Sequence, residues 1–239
     1  MAIDFNWPKF NRLVTGPSGS GKTTLALEQF RAEKAARKVV FDSQFEISGK
    51  MKTAPIRGPL VFAGACCRQA VTVFQPDDNW PTVADAFAWF FATVFELAQR
   101  LHGRTLVFCD ELQDFVPQGP QSLVPRQFMD CLEKGRRRQL DLLCACQSAS
   151  RVNLAIRAQL TELVTFCQVE KNALEFTRGY EIPDADVKGL GRYQWLMRNG
   201  QSGVITLGGP KQTSRVTATV VNQRGRGTRP LKNAPAKSP

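Results

Sequence analysis

Gly16-Pro17-Ser18-Gly19-Ser20-Gly21-Lys22-Thr23-Thr24 is the stretch that decides the fold. It satisfies the spacing G-x-x-x-x-G-K-[ST] without a gap. Its flanks matter as much as its letters. Phe10-Asn11-Arg12-Leu13-Val14-Thr15 reads as a short buried strand. Thr24-Leu25-Ala26-Leu27-Glu28-Gln29-Phe30 carries apolar residues at helical spacing. Gly16, Gly19 and Gly21 permit positive φ and let the main chain approach an anion closely. Loop N–H groups and a helix N-terminus then cradle phosphates. In such a loop Lys22 reaches the β- and γ-phosphates of ATP, and the Thr23 hydroxyl ligates Mg²⁺. A glycine-rich turn that binds nothing is the bland alternative. The order strand, loop, helix argues against it.

The second landmark is Thr105-Leu106-Val107-Phe108-Cys109-Asp110-Glu111. A continuous apolar run suits a strand buried on both faces. The two carboxylates fall at its C-terminal end, where parallel α/β sheets place their ligands. Downstream of a phosphate-binding loop this is the Walker B pattern. Asp110 is then the candidate for the Mg²⁺ shell. Glu111 is the candidate general base that polarises the attacking water. A strand end capped by solvated acids is the plainer reading of the same residues.

Between and beyond these landmarks the chain alternates strands and helices. Lys38–Asp42 reads as a strand that begins a parallel βαβ unit. Residues 43–59 are polar and turn-rich. Leu60–Ala63 and Ala70–Phe74 read as strands. Thr82 is the predicted N-cap, with Asp85 completing an approximate capping box, of a helix that runs to about Leu101 and stops at Gly103. Leu123–Lys134 is a helix candidate with Pro125 near its start. Leu140–Cys146 is a buried strand ending at Gln147. Arg151–Leu160 reads as a helix, Leu163–Val169 as a strand, and Ser202–Leu207 as a short strand. Val216–Val221 is a further strand candidate. Asn6-Trp7-Pro8 is placed to pack beside a nucleotide base. No internal repeat is visible.

Seven cysteines form no C-x-x-C pair, and His102 is the single histidine. Zinc sites of the usual kind therefore lack ligands. Cys109, Cys144, Cys146 and Cys167 fall in apolar runs and read as reduced core thiols. No stretch approaches the roughly 18 apolar residues of a membrane span. The first residues lack the order of a secretory signal, so a cytosolic protein is expected. The net charge of +11 is unevenly placed. No Asp or Glu occurs from Val187 onward, while ten basic residues do. The remaining 22 basic residues face 21 acidic ones. Such asymmetry points to a polyanion, nucleic acid above all, or to a solubilising tail.

The sequence of landmarks resembles the FtsK–HerA superfamily. It comprises Walker A, a Walker B ending in Asp-Glu, a helix closing in Arg136-Arg137-Arg138, and a strand ending in Gln147. The similarity runs from about Phe10 to Met197. It implies an α/β, RecA-like P-loop NTPase with a mostly parallel central sheet flanked by helices. A short, β-rich, basic C-terminal extension follows. Residues 1–208 form the expected ATPase domain, and 209–239 the basic, flexible tail. In that superfamily the Gln147 strand lies between the Walker A and Walker B strands, and Gln147 senses the γ-phosphate. Arg136 and Arg137 are the candidate arginine finger, with Arg138, Arg151 and Arg157 as rivals. Such a finger is worth about 10³–10⁵ in rate. A solvated basic helix end is the alternative role for these arginines.

A bare motor with a basic tail resembles the genome-packaging ATPases of tailless, membrane-containing icosahedral viruses with double-stranded DNA. That resemblance implies ATP and Mg²⁺ as cofactors and sequence-independent binding to double-stranded DNA. It also implies a homo-oligomeric ring, and a capsid or viral membrane protein at the packaging vertex. The expected location is the host cytoplasm, with association to the virion as an option. Two other functions fit parts of the sequence. One is a small-molecule P-loop kinase. The other is a nucleotide-switched nucleic-acid-binding assembly protein. A GTPase is disfavoured because no N-K-x-D motif follows the Walker B strand.

Overall fold

Every residue of β1 (Asn11–Thr15) is buried. A computed structural model describes residues 10–209 and shows why. β1 lies inside an eight-stranded sheet of order β3-β2-β4-β5-β1-β6-β7-β8. The other parallel strands are β2 (Arg37–Phe41), β3 (Val71–Phe74), β4 (Thr105–Cys109), β5 (Leu140–Cys146) and β6 (Glu162–Phe166). β7 (Trp195–Asn199) and β8 (Ile205–Gly208) extend the sheet antiparallel beyond β6. β5 runs between β4 and β1, the placement implied for the Gln147 strand. All six parallel strands therefore point their C-terminal ends to one edge. The loops after β1, β4 and β5 meet there.

Alternation along the strands divides the core in two. On one face lie Leu13, Val107, Cys109, Leu142, Cys144 and Cys146, and on the other Val14, Leu106, Phe108, Leu143 and Ala145. The second face is covered by α1 (Lys22–Ala32), which buries Ala26, Leu27 and Phe30. The first is covered by α4 (Val83–Arg100) and α5 (Arg126–Lys134). Thr82 caps α4 as expected: its Oγ1 accepts from the Asp85 N–H at 3.1 Å and donates to the Asp85 carboxylate at 2.8 Å. Phe87, Phe90 and Phe91 then drive an aromatic cluster into the sheet. Phe87 stacks on Phe115 with ring centroids 4.6 Å apart, and Phe90 meets Phe41, Phe62 and Phe74.

Several expected elements differ. Leu60–Ala63 is not a strand but part of α3 (Pro59–Arg68). Pro59 presets the first helical φ. Leu60 is 90% exposed, whereas Phe62, Ala65 and Cys66 are buried at helical spacing. The helix expected from Leu123 starts only at Arg126. Pro125 holds Val124 extended, and Gln121–Leu123 forms a separate 3₁₀ turn. The helix expected over Arg151–Leu160 is broken into a 3₁₀ turn, Ala149–Arg151, and the short α6 (Leu154–Arg157). Val152 bridges Pro117, and the Asn153 amide donates to the carbonyls of Pro117, Gly119 and Pro120. These tertiary bonds hold the break open. β6 stops at Phe166, short of Val169. α2 (Ile47–Met51), α7 (Lys171–Arg178), α8 (Asp184–Lys188) and β7 have no counterpart in the sequence reading. The expectations for Asn6–Pro8, for Val216–Val221 and for the tail lie outside the described residues. Among the described residues no helix is long and apolar enough to cross a membrane.

Burial pushes the Cys66 thiol up to about 11 and the Cys146 thiol up to about 12, and Cys109, Cys131 and Cys144 rise as well. Thiolate is the reactive form, so these groups are inert. Alkylation of the native protein, read by mass spectrometry, is expected to label exposed Cys67 first and half-buried Cys167 next. The other five should react only on unfolding. Phe90→Ala is expected to lower unfolding stability by about 3–5 kcal/mol in chemical denaturation, because a cavity opens among four other rings.

Candidate active site

The loop after β1 hands directly into α1. Gly21 is the N-cap residue, with φ 93°, and Gly19 has φ 76°. Both are left-handed conformations that a side chain would strain. No side chain caps α1, and no acid occupies its first turn. The first N–H groups of the helix therefore remain for an external anion. Ser20 Oγ is buried with no hydrogen-bond partner among the described residues.

Lys22 is 7% exposed, and its Nζ lies 3.3 Å from Glu111 Oε1. The Gln147 amide, at the tip of β5, donates to the same oxygen at 3.3 Å. Gln113 donates to the other Glu111 oxygen at 2.7 Å and accepts from the Gln147 N–H at 3.2 Å. Glu111 itself is left-handed, with φ 50°. That sharp turn brings Gln113, two residues on, back to the same carboxylate. Beside this group Thr23 Oγ1 donates to Asp110 Oδ2 at 2.8 Å, and the Glu111 N–H donates to Asp110 Oδ1 at 2.9 Å. Burial holds the Asp110 carboxyl above its ordinary value, against the pull of the Thr23 hydrogen bond. These groups line one cavity of about 460 Å³ with Ser18 and Gly19.

The donor set fits a magnesium nucleotide. One hydroxyl and one carboxylate, both hard oxygen donors, stand together at 2.8 Å. No cluster of three metal-ligating side chains exists among the described residues. Mg²⁺ uses few protein ligands and completes its octahedron with waters and substrate phosphates. The orphan helix N–H groups and the buried ammonium supply the matching anion cradle.

Not every predicted residue comes to this site. Arg136 and Arg137 are exposed in the 3₁₀ turn Gly135–Arg138, which precedes β5. Gln147 follows β5, so these arginines sit at the opposite edge of the sheet, about 20 Å away for a seven-residue strand. Arg138 is engaged, with its guanidinium 3.5 Å from the centroid of Phe95 and bonded to the Phe95 carbonyl. Arg151 instead lines the cavity from the same chain. Arg157 packs on Phe176. Sequence reading missed Gln113 and the wall after β2. There the buried Asp42 accepts from the N–H groups of Glu46 and Ser48 and from Gln75, holding residues 43–47 beside the cavity. Asp42 ends a buried apolar strand just as Asp110 does, and that signal was available.

No protein-family profile matches the chain, and no curated protein sequence matches it. Solved structures do. The genome packaging NTPase B204 of Sulfolobus turreted icosahedral virus 2, in complex with ATPγS, superposes with a TM-score of 0.67 at 18% identity. The match covers 85% of this chain and 98% of that one. This chain shares the fold of that viral NTPase. The sulfate complex of the same NTPase gives a TM-score of 0.68 at 19% identity, over 86% and 98% of the two chains. ATPases 2 and 3 of EccC from Thermomonospora curvata match with a TM-score of 0.55 at 11% identity, over 86% of this chain and 37% of theirs. The same α/β fold is thus common to a viral packaging NTPase, EccC and this chain.

The raised Asp110 pKa has a testable consequence. The proton is bound more tightly in the folded than in the unfolded protein, so charging Asp110 costs stability as pH rises through its folded pKa. In the nucleotide-free protein Asp110→Asn is therefore expected to leave the thermal midpoint at pH 7 unchanged or higher. Magnesium and ATP together are expected to raise the midpoint of the unaltered protein, and the same variant should lose that rise. Thermal unfolding with and without Mg²⁺-ATP checks both.

Proposed function

We propose that this chain is an ATP-hydrolysing motor that translocates double-stranded DNA, in the manner of a viral genome-packaging ATPase. The observation that carries the reading is the convergence of three strand ends. Lys22 and Thr23 follow β1, Gln147 follows β5, and Asp110 and Glu111 follow β4, and these side chains are joined within hydrogen-bonding distance. The residues from Gly16 to Thr24, Pro17 and Ser18 among them, would hold the triphosphate. Thr23 and Asp110 would hold Mg²⁺, which supplies charge neutralisation for the leaving phosphates.

Glu111 is the general base in this reading. Its carboxylate is held by Lys22, Gln113 and Gln147. A γ-phosphate drawing Lys22 toward itself would leave Glu111 Oε1 held by Gln147 alone, with a lone pair open to accept a proton from water. Gln147 is bonded to that same oxygen, so it would register whether the γ-phosphate is present. Arg136 and Arg137 face away from the site of their own chain. Any catalytic contribution from them can only be made in trans, which calls for a closed homo-oligomeric ring. The excess of basic residues from Val187 onward would grip DNA phosphates without reading sequence. A capsid or viral membrane protein at the packaging vertex, and a host-cytoplasmic or virion-bound location, belong to the same proposal. So does the division into an ATPase domain, 1–208, and a basic tail, 209–239.

Steady-state ATPase assays test this. Double-stranded DNA is expected to stimulate turnover, and the stimulation should fade steeply as salt rises. Glu111→Gln should cut turnover about 10²–10⁴-fold while nucleotide binding persists. Stimulation by a free nucleoside in place of DNA would mean a kinase. Nucleotide binding without turnover under any DNA condition would mean a nucleotide-switched assembly protein.

A further inference from the structure

The β3 flank of the sheet carries a surface that the nucleotide site does not use. β3 is the last strand on that side, and among the described residues only the bridge between Ile56 and Phe74 lies beyond it. α3 follows the bridge. Pro59 presets its first turn, and Phe62, Ala65 and Cys66 bury its inner face. Phe62 is locked among Phe74, Trp89 and Phe90, with ring centroids 5.1, 5.7 and 5.4 Å away. The helix is therefore firmly mounted, and its outer face is held toward solvent.

That outer face is apolar where it should be wet. Leu60 is 90% exposed, more than any other large apolar residue described, and its neighbour Val61 is 61% exposed. Single exposed aliphatics need no explanation. These two are adjacent on one turn and have company of one sign. From Ile47 to Pro76 the sequence holds no Asp or Glu, while Lys50, Lys52, Arg57 and Arg68 fall within it. Lys50 is paired with Glu46. Arg57 and Arg68 are exposed and form no ion pair among the described residues. Arg57 immediately precedes the N-cap Gly58. Arg68 lies eight residues from Leu60, on the same side of the helix, and its guanidinium folds back over Gly64 between them. A Cβ at Gly64 would come within 3.2 Å of Arg68 Nη2. No side chain caps α3 and no acid occupies its first turn, so the N–H groups there stay open to an anion.

We propose that the outer face of α3 docks peripherally on an anionic lipid surface. Leu60 and Val61 enter the boundary between headgroups and acyl chains, and Arg57 and Arg68 meet the lipid phosphates. A lipid surface rewards both features at once. Aliphatic tips gain by leaving water, and a cationic rim gains beside anionic headgroups. A nucleic-acid backbone would satisfy the arginines but offer nothing to the aliphatic pair. A second copy meeting this face with its own would set arginine against arginine. The inference does not depend on the proposed nucleotide site, since none of these residues lines its cavity.

Flotation of the full chain with vesicles tests this. One set is phosphatidylcholine alone, the other phosphatidylcholine mixed with phosphatidylglycerol. The chain is expected to float with the mixed vesicles and far less with the neutral ones. The basic residues beyond Val187 could hold the chain to anionic vesicles by charge alone, so the deciding variant keeps every charge. Leu60→Ser combined with Val61→Ser should lower the partition coefficient about tenfold or more. Arg57→Glu combined with Arg68→Glu should lower it as well. Both variants change exposed side chains, so the thermal midpoint should stay where it is. No flotation with mixed vesicles, or undiminished flotation of the serine variant, overturns the inference. A smaller oligomer in the serine variant with flotation unchanged would assign the face to a second copy. Weaker DNA binding in the glutamate variant with flotation unchanged would assign it to nucleic acid. Either result also overturns the inference.

Discussion

Lys22 and Glu111 pair across two strand spacings, and the rest of the site depends on that contact. The ammonium is almost wholly buried, so it needs a counter-charge close by. The chain supplies one only because β5 is inserted between β1 and β4. Two elements 87 residues apart in sequence, Thr23 and Asp110, are brought to 2.8 Å by the same insertion. A parallel sheet makes this possible because all its strand ends open to one edge. The aromatic cluster on α4 and the apolar stripe of α1 clamp that sheet from both faces and set the heights of its strand tips.

The polar groups at that edge satisfy one another. Glu111 is bonded through both oxygens, and Asp110 likewise. A buried carboxylate without such donors would cost several kcal/mol. Here donors come from a hydroxyl, a main-chain N–H, two side-chain amides and the Lys22 ammonium. Each carboxylate oxygen at this edge therefore has a donor, and no bare charge is left among them. Gln113 is central to this, since it donates to the Glu111 carboxylate and accepts from the Gln147 main-chain N–H. Asp42 performs a static version of the same task, pinning the 43–47 wall with three donors.

Much of this architecture was legible beforehand. Buried parallel strands give continuous apolar runs, and β1, β4 and β5 were found by that signal. Thr82 and Asp85 gave the start of α4. Errors fell where local and tertiary preferences compete. Leu60–Ala63 has strand-like composition, yet Pro59 starts a helix and the exposed Leu60 and Val61 show which face is solvated. Val152 and Asn153 fit a helical period, but bonds to residues 117–120 pull them out of it. β7 is short and half-polar, as an outer antiparallel strand allows, and its pattern carried no signal above a loop.

The sequence by itself determined the chemistry of the site: a glycine loop ending in Lys22 and Thr23, and an acidic pair at a strand tip. Residue types at fixed short spacings encode those features locally, so no long-range information is needed to see them. Only the tertiary structure decided which groups meet. It set Gln113 between Glu111 and Gln147, carried Arg136 and Arg137 to the far edge of the sheet, and laid Tyr193 over Gly21. Those outcomes depend on strand order and on the registers of β5, β6 and β7. Strand order and register come from the packing of the whole core, not from any one segment.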